Sequence, residues 1–316
     1  MNQQLVKLQE RRAEAGFTLV ELAIVLVIIG LIIGGVLVGQ DLIKAAELRA
    51  TSSNIEKYNS AANTFRNRFN GLPGDLLADR ASQNGLADRD GAGTAEGTAG
   101  KGDGNGVMEG CATNSSALGC ETGLFWADLT VAQLIADSFT VGAAATDGLD
   151  PADDPLVAAS ITATSDMSRF LPSLPIRDTA FVHIFPQGGR NYYYLGSIQT
   201  DAAGDILTVA PVSTGGADSD DGDAEVAGLA GLTPAEAAQL DDKVDDGGPT
   251  TGIFRAAAQI LPTTGATIDP GATGNVTQEC VSEGAAATID NDEIYNTANQ
   301  DFANELNCNA YWRASF

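Results

Sequence analysis

Glu21 lies inside an apolar run from Phe17 to Val38, and the next charged side chain after it is Asp41. A carboxylate within a membrane helix costs about 2.5–3.5 kcal/mol at mid-bilayer, so a residue of this type in this place is expected to have a task. The chemistry open to it is charge pairing. An unpaired charge in a low dielectric is heavily penalised, so a carboxylate there selects arrangements that bring it a cation. Other reactive side chains are sparse. One histidine, His183, leaves little general-base chemistry, and there is no Gly-x-Ser-x-Gly elbow, P-loop or metal cluster. His183 falls within a β-rich run and reads as a packed histidine. No enzyme is expected.

Carboxylates are abundant, and the formal charge is −25. Such acidity argues against direct nucleic-acid binding, which needs Lys and Arg at phosphates, and suits a solvated surface. It also raises calcium as a cofactor, but the calcium-loop spacing is not met. Asp88-x-Asp90 is followed by Gly93 in the right place, while Ala92 and Ala99 occupy ligand positions. Asp103-Gly-Asn105-Gly and Asp218 through Asp223 also fail it. Solvated loops without a metal are therefore expected, with calcium the one cation left open. Zinc is disfavoured, since no Cys-x-x-Cys occurs.

The element that must position Glu21 is a membrane-length helix. Residues 17–38 number 22, against roughly 20 needed to cross a hydrocarbon core. A short charged leader precedes it, with Lys7, Glu10, Arg11, Arg12 and Glu14. The apolar stretch is too long for an ordinary secretory signal, no A-x-A site follows, and Arg11-Arg12 reads as a cytoplasmic retention signal. By hydropathy alone the segment is an uncleaved anchor.

The junction changes that reading. Gly16-Phe17-Thr18-Leu19-Val20-Glu21 resembles the class III signal of type IV prepilins and pseudopilins, in which a charged leader ends in Gly and Glu is the fifth mature residue. The resemblance implies that a prepilin peptidase cuts between Gly16 and Phe17 and methylates the Phe17 amine. It implies that Glu21 neutralises the Phe17 ammonium of a neighbouring subunit during assembly, since a charge at Glu21 has no cheap structural explanation. Its further implications are a structural subunit of a pilus-like filament, partnered by itself, other pilins and an assembly platform. The subunit would be held in the inner membrane with its C-terminal domain in the periplasm, then moved to a surface or periplasm-spanning filament. A type II secretion pseudopilin and a membrane-tethered binding module that does not polymerise are the alternatives. The proline found mid-helix in many major pilins is missing. Removing the leader, with three basic and two acidic residues, takes the rest of the chain to −26.

The helical pattern continues past the membrane. Ile55, Tyr58, Ala62, Phe65 and Phe69 are spaced 3, 4, 3, 4, and Gly71 and Pro73 then end the helix. From Phe17 to Phe69 the helix would extend about 80 Å at 1.5 Å per residue. Gly30/Gly34 and Gly35/Gly39 permit close helix contact. The expected organisation is a leader (1–16), a membrane or filament-core half-helix (17–38), an exposed half-helix (39–70) and a globular region (71–316). Its fold class is α+β: the long helix packed on a domain with a small antiparallel sheet, which is also the pilin architecture.

Within that domain, Gly71-Leu72-Pro73-Gly74-Asp75 resembles an element following the long helix in many prepilin-type proteins. Residues 85–110 read as a long loop poor in core formers, and Leu124, Phe125, Leu129, Ala132 and Ile135 mark a helix running from Leu124 to Asp137. Runs at 181–185, 192–199 and 206–210 predict an antiparallel meander. Thr233-Pro234-Ala235-Glu236 is a capping box opening a helix toward Val244. The Asp-rich tract that follows, ending in Gly-Gly-Pro249, is similar to an Asp-Asp-Gly-x-Pro segment of large prepilin-type proteins and reads as a helix stop and turn. Cys111, Cys120, Cys280 and Cys308 all lie beyond the apolar run. An even count in an oxidising compartment predicts two disulfides. Three pairings are possible, the local ones, Cys111–Cys120 and Cys280–Cys308, being preferred.

Overall fold

The computed structural model describes residues 18–86, 102–108, 120–140, 168–187, 189–200, 206–209, 229–249, 251–257, 280–282, 294–295, 297 and 308–316. Helix α1 (Leu19–Phe69) ends where Asn70 turns left-handed, with φ 57°. The expected stop at Gly71 and Pro73 thus comes slightly early, because Asn tolerates this conformation nearly as well as Gly. Two compact units, Met1–Ala46 and Glu47–Phe316, divide inside the helix. In the first, the large apolar side chains of the described helix are all exposed. In the second, Leu48, Thr51, Ile55, Tyr58, Ala62 and Phe65 are buried, and Phe69 packs at the core margin. The 3–4 spacing of the apolar residues accounts for that buried stripe.

Two short helices and a sheet receive it. Helix α2 spans Ala78–Gln83 and α3 spans Cys120–Val131. The latter begins and ends earlier than the expected Leu124–Asp137, because Gln133 adopts φ 58° and the chain folds back. There Thr130 Oγ1 accepts from the Phe139 N–H at 3.0 Å and donates to the Asp137 carbonyl at 3.2 Å. Ala132 is still buried and Ile135 still packs on the core, from outside the helix.

The strands are β1 (Ser173–Leu174), β2 (Arg177–Gln187), β3 (Arg190–Thr200), β4 (Ile206–Val209), β5 (Leu229–Ala230), β6 (Phe254–Ala257), β7 (Val281–Ser282), β8 (Ile294–Tyr295) and β9 (Asn309–Arg313). The main sheet runs β1-β2-β3-β9-β6, all antiparallel, while β7 and β8 pair separately. β2 and β3 form the expected hairpin, with Gly189 at φ 71° in its turn. The meander holds only in part. The far edge of β3 is shared among β9 at Tyr192–Leu195, β5 at Gly196 and Ser197, and β4 from Ile198. Helix α4 (Pro234–Val244) opens with the expected capping box, its two reciprocal bonds measuring 2.9 and 3.2 Å.

Alternation along the strands gives the sheet two buried faces. On one, Tyr193 meets Tyr58 and Phe125 at 6.4 Å and Trp126 at 6.3 Å between ring centres. Tyr58 and Trp126 pack edge to face at 4.8 Å, and Phe316 stacks on Phe125 at 5.6 Å. On the other lie His183, Phe185, Tyr194 and Tyr311, all buried. The chain returns to α1 after β9: the Ser315 N–H donates to Asn59 Oδ1 at 2.9 Å, and Asn63 Nδ2 donates to the Ser315 carbonyl at 3.2 Å. The architecture is therefore α+β, a long helix whose second part packs on a domain with a small antiparallel sheet.

Trp126 is fully buried at the centre of this packing. Trp126→Ala should lower unfolding stability by about 3–5 kcal/mol. Val131→Ala, at a residue 51% exposed in the same helix, should stay within about 0.5 kcal/mol. Urea unfolding followed by circular dichroism compares the two.

Candidate functional site

The start of α1 holds Glu21 by a reciprocal cap. The Thr18 N–H and the Thr18 hydroxyl each donate to Glu21 Oε2 at 2.8 Å, and the Glu21 N–H donates to Thr18 Oγ1 at 3.3 Å. Glu21 therefore has a local structural explanation after all. Its carboxylate satisfies donors at the helix start and faces the positive end of the helix dipole, both of which favour the helix. Thr18 is the residue that sequence reasoning missed. The signal was available, because Thr-x-x-Glu at 18–21 is the same spacing that identifies the cap at 233–236. Neutral donors satisfy Oε2 but leave the charge in place, so the cap does not discharge Glu21.

Beyond Glu21 the helix presents a bare apolar surface. The large hydrophobic side chains between Leu19 and Val38 are 46–84% exposed. By length and composition α1 can cross a membrane. A Cβ built on Gly30, Gly34, Gly35 or Gly39 would meet nothing within 4 Å, so these positions are open to close approach by another helix. Gly16 and Phe17 lie outside the described residues.

A second constellation joins the end of α1 to α3. Asp75 Oδ1 and Oδ2 accept from the Gly104 and Gly106 N–H groups at 2.7 and 2.8 Å. Glu121 Oε1 accepts from the Gly102 N–H, and Asp128 Oδ2 from the Gly74 N–H, both at 2.7 Å. Gly74 has φ 85°, and a Cβ there would sit 2.3 Å from the Glu121 carbonyl oxygen, so only glycine fits. Asn191 completes the clasp, accepting from the Met108 N–H at 2.8 Å and donating to the Gly106 carbonyl at 2.9 Å. The segment 102–108 was expected to be part of a loop with little core. Instead these bonds pin it down and bury Met108 completely. Carboxylate oxygens of Asp75, Asp103 and Glu121 come within 4.8 Å of one another. Local spacing around Asp103 could not reveal this, because two of the three partners come from distant positions.

His183 is buried in β2 opposite Tyr194. Burial pushes its imidazole down to about 3, which keeps it neutral at pH 7. Cys280 and Cys308 are joined by a disulfide with Cα atoms 5.0 Å apart. Cys111, the side chain of Cys120, and the acidic tracts at 88–99 and 218–223 lie outside the described residues.

Residues 11–37 match the prokaryotic N-terminal methylation motif family. No curated protein and no solved structure matches the chain. The match includes Gly16, Phe17, Thr18 and Glu21 and covers most of the apolar run.

The clasp has a pH signature. Burial, reinforced by the neighbouring Asp103, raises the Asp75 carboxyl to about 7 against the opposing pull of its two backbone N–H bonds. A carboxyl raised on folding contributes stability that is fully present below its ordinary value of about 4 and is lost as pH rises through 7. Thermal midpoints in a chelator-containing buffer should accordingly fall from pH 5 to pH 8. Asp103→Asn should flatten that slope by removing the neighbouring negative charge.

Proposed function

Because the chain carries a type IV pilin-like, prepilin-type N-terminal segment, we propose that it is a structural subunit of a pilus-like filament, stored in the inner membrane before assembly. A prepilin peptidase cleaves between Gly16 and Phe17 and methylates the Phe17 amine. The first part of α1 rests in lipid, with the acidic C-terminal unit in the periplasm. An assembly platform and its ATPase then transfer the helix from lipid into a bundle with further copies and other pilins, and the filament extends at the cell surface.

The observation that carries this reading is the bare apolar face of α1 headed by one carboxylate. Lipid can cover the apolar side chains but cannot supply a fixed positive charge; another copy can supply both. Glu21 lies four positions after Phe17 in the chain, so a neighbour's Phe17 ammonium can reach it when two subunits are correctly staggered. A wrong stagger leaves both charges unpaired in a low dielectric, at a cost of about 3–5 kcal/mol for a broken buried pair. The Thr18 cap holds the carboxylate at the helix start until that partner arrives. The same geometry would serve a secretion pseudopilus.

Mass spectrometry of protein from its native host should find N-methylated Phe17 as the first residue. Shearing should release the chain in filaments. Glu21→Ala should still be cleaved and reach the membrane but fall more than about tenfold in the sheared fraction, as the lost pair energy requires. Wild-type yields from Glu21→Ala would overturn the role of that residue. A chain that keeps its first 16 residues in the host would overturn the assembly reading, and a processed chain that never shears off would be a tethered binding module.

A further inference from the structure

The tract Asp245-Asp-Gly-Gly-Pro249 ends α4, and it also lies against the last strand of the main sheet. β6 pairs with β9, and the sheet path ends there among the described residues. In an antiparallel pair the peptide groups of alternate residues point to the neighbouring strand, and those between them point away. The β6 amides that point away from β9 are those of Phe254 and Ala256, and both are already bonded. The Phe254 N–H donates to Asp245 Oδ2 at 3.2 Å, and the Ala256 N–H donates to the Pro249 carbonyl at 2.9 Å. Free outward amides would make this edge a template for another strand. Here one side chain and one main-chain carbonyl of the same tract occupy them. At the other end of the path β1 is two residues long, too short to guide much pairing.

The tract is braced on every side. Asp241, buried in the last turn of α4, accepts from the Tyr295 hydroxyl at 2.7 Å and also takes the Gly247 N–H. Asp246 Oδ1 accepts from the Gly248 N–H at 3.0 Å and Oδ2 from the Thr251 hydroxyl at 2.7 Å. The Thr251 N–H donates in turn to the Gly248 carbonyl at 3.2 Å. Asp245 Oδ2 accepts from the Ile253 N–H as well, so one oxygen clips the chain on entry to β6. A Cβ on Gly252 would collide with that carboxylate, and glycine there is what lets Asp245 reach the strand.

We propose that the Asp245–Pro249 tract is an edge plug, which closes β6 against strand pairing with the same strand of a second copy. The chemistry of the two capping groups suits that task. A carboxylate accepts but offers no peptide N–H to a further strand, and proline has none to offer. The ladder therefore stops at the tract instead of being continued by it. A second copy is the partner to be excluded because each one carries the identical strand, Phe254–Ala257, with Arg255 its one charge. The proposal concerns the second unit alone and does not depend on filament assembly.

The test uses the full-length chain in detergent, which covers the apolar part of α1. Sedimentation reports association, and mass spectrometry follows amide exchange of residues 253–257. In the wild type these amides should be protected to the same degree when dilute and when concentrated. Asp245→Ala should exchange faster there when dilute. On concentration it should associate at least about tenfold more tightly than the wild type, as the loss of a charge-assisted hydrogen bond allows, and regain protection at 253–257. Gly252→Ala, which displaces the same carboxylate by collision, should reproduce both effects. Asp245→Asn keeps an oxygen for the two N–H groups and should behave as the wild type. Trp126→Ala, destabilised elsewhere, should show no concentration-dependent protection at 253–257. Unchanged exchange and association in Asp245→Ala would overturn the proposal. So would equal association by Asp245→Asn, which would make lost charge the cause, or the same return of protection in Trp126→Ala, which would make general unfolding the cause.

Discussion

An apolar helix surface that the described residues leave bare is the constraint from which the rest follows. The side chains from Leu19 to Val38 expose their hydrocarbon, and each would be stabilised by roughly 25 cal/mol for every Å² withdrawn from water. Nothing in the described part of the first unit supplies that cover. On the proposed reading, lipid or another copy of the helix does so. In the proposed filament, Glu21 would sort between the two hosts. In lipid its carboxylate has Thr18 donors and no countercharge; beside another processed subunit it can have both.

The second unit solves a different problem, that of a long acidic chain building a stable core. It does so around the second part of α1, where Tyr58, Phe125, Trp126 and Tyr193 pack as a connected aromatic group. Acidic side chains are then used as internal fasteners. Asp75, Glu121 and Asp128 each accept a backbone N–H from a glycine, while the more exposed Asp245 and Asp246 accept the Phe254 and Gly248 N–H groups in the loop after α4. Among the described residues, the buried carboxylates of Asp75, Glu121 and Asp128 thus organise loops that have little apolar content of their own.

How much of this was legible depended on whether the signal was local. The apolar stripe of α1, the strands at 181–199 and the cap at Thr233 follow from spacing alone, and each is present. Boundaries moved where backbone conformations such as those of Asn70 and Gln133 ended helices at non-glycine residues. β9 was missed although Tyr311 and Trp312 have strong strand preference, because five residues carry too short a pattern to stand out. The acidic groups were illegible for a different reason. Asp75, Asp103 and Glu121 come together only through the packing of α3 against the segment after α1. Asp241 acquires its meaning from burial and from Tyr295, both tertiary facts. Thr18 was the exception: its signal was local, and the attention given to Glu21 as a membrane charge hid its ordinary use as a helix cap.

The position of β9 bears on how the protein comes into being. Its pairing with Tyr192–Leu195 bridges more than a hundred residues of intervening chain, so the centre of the sheet stays open until position 313 has been synthesised. Until then β3 has an unpaired edge, the kind of surface that recruits strands from other nascent chains. An organism making this protein in quantity would need to delay contact between unfinished copies, by spacing ribosomes or by holding the partial chain with a chaperone. Birth rate, as much as final stability, would then limit the amount of usable protein.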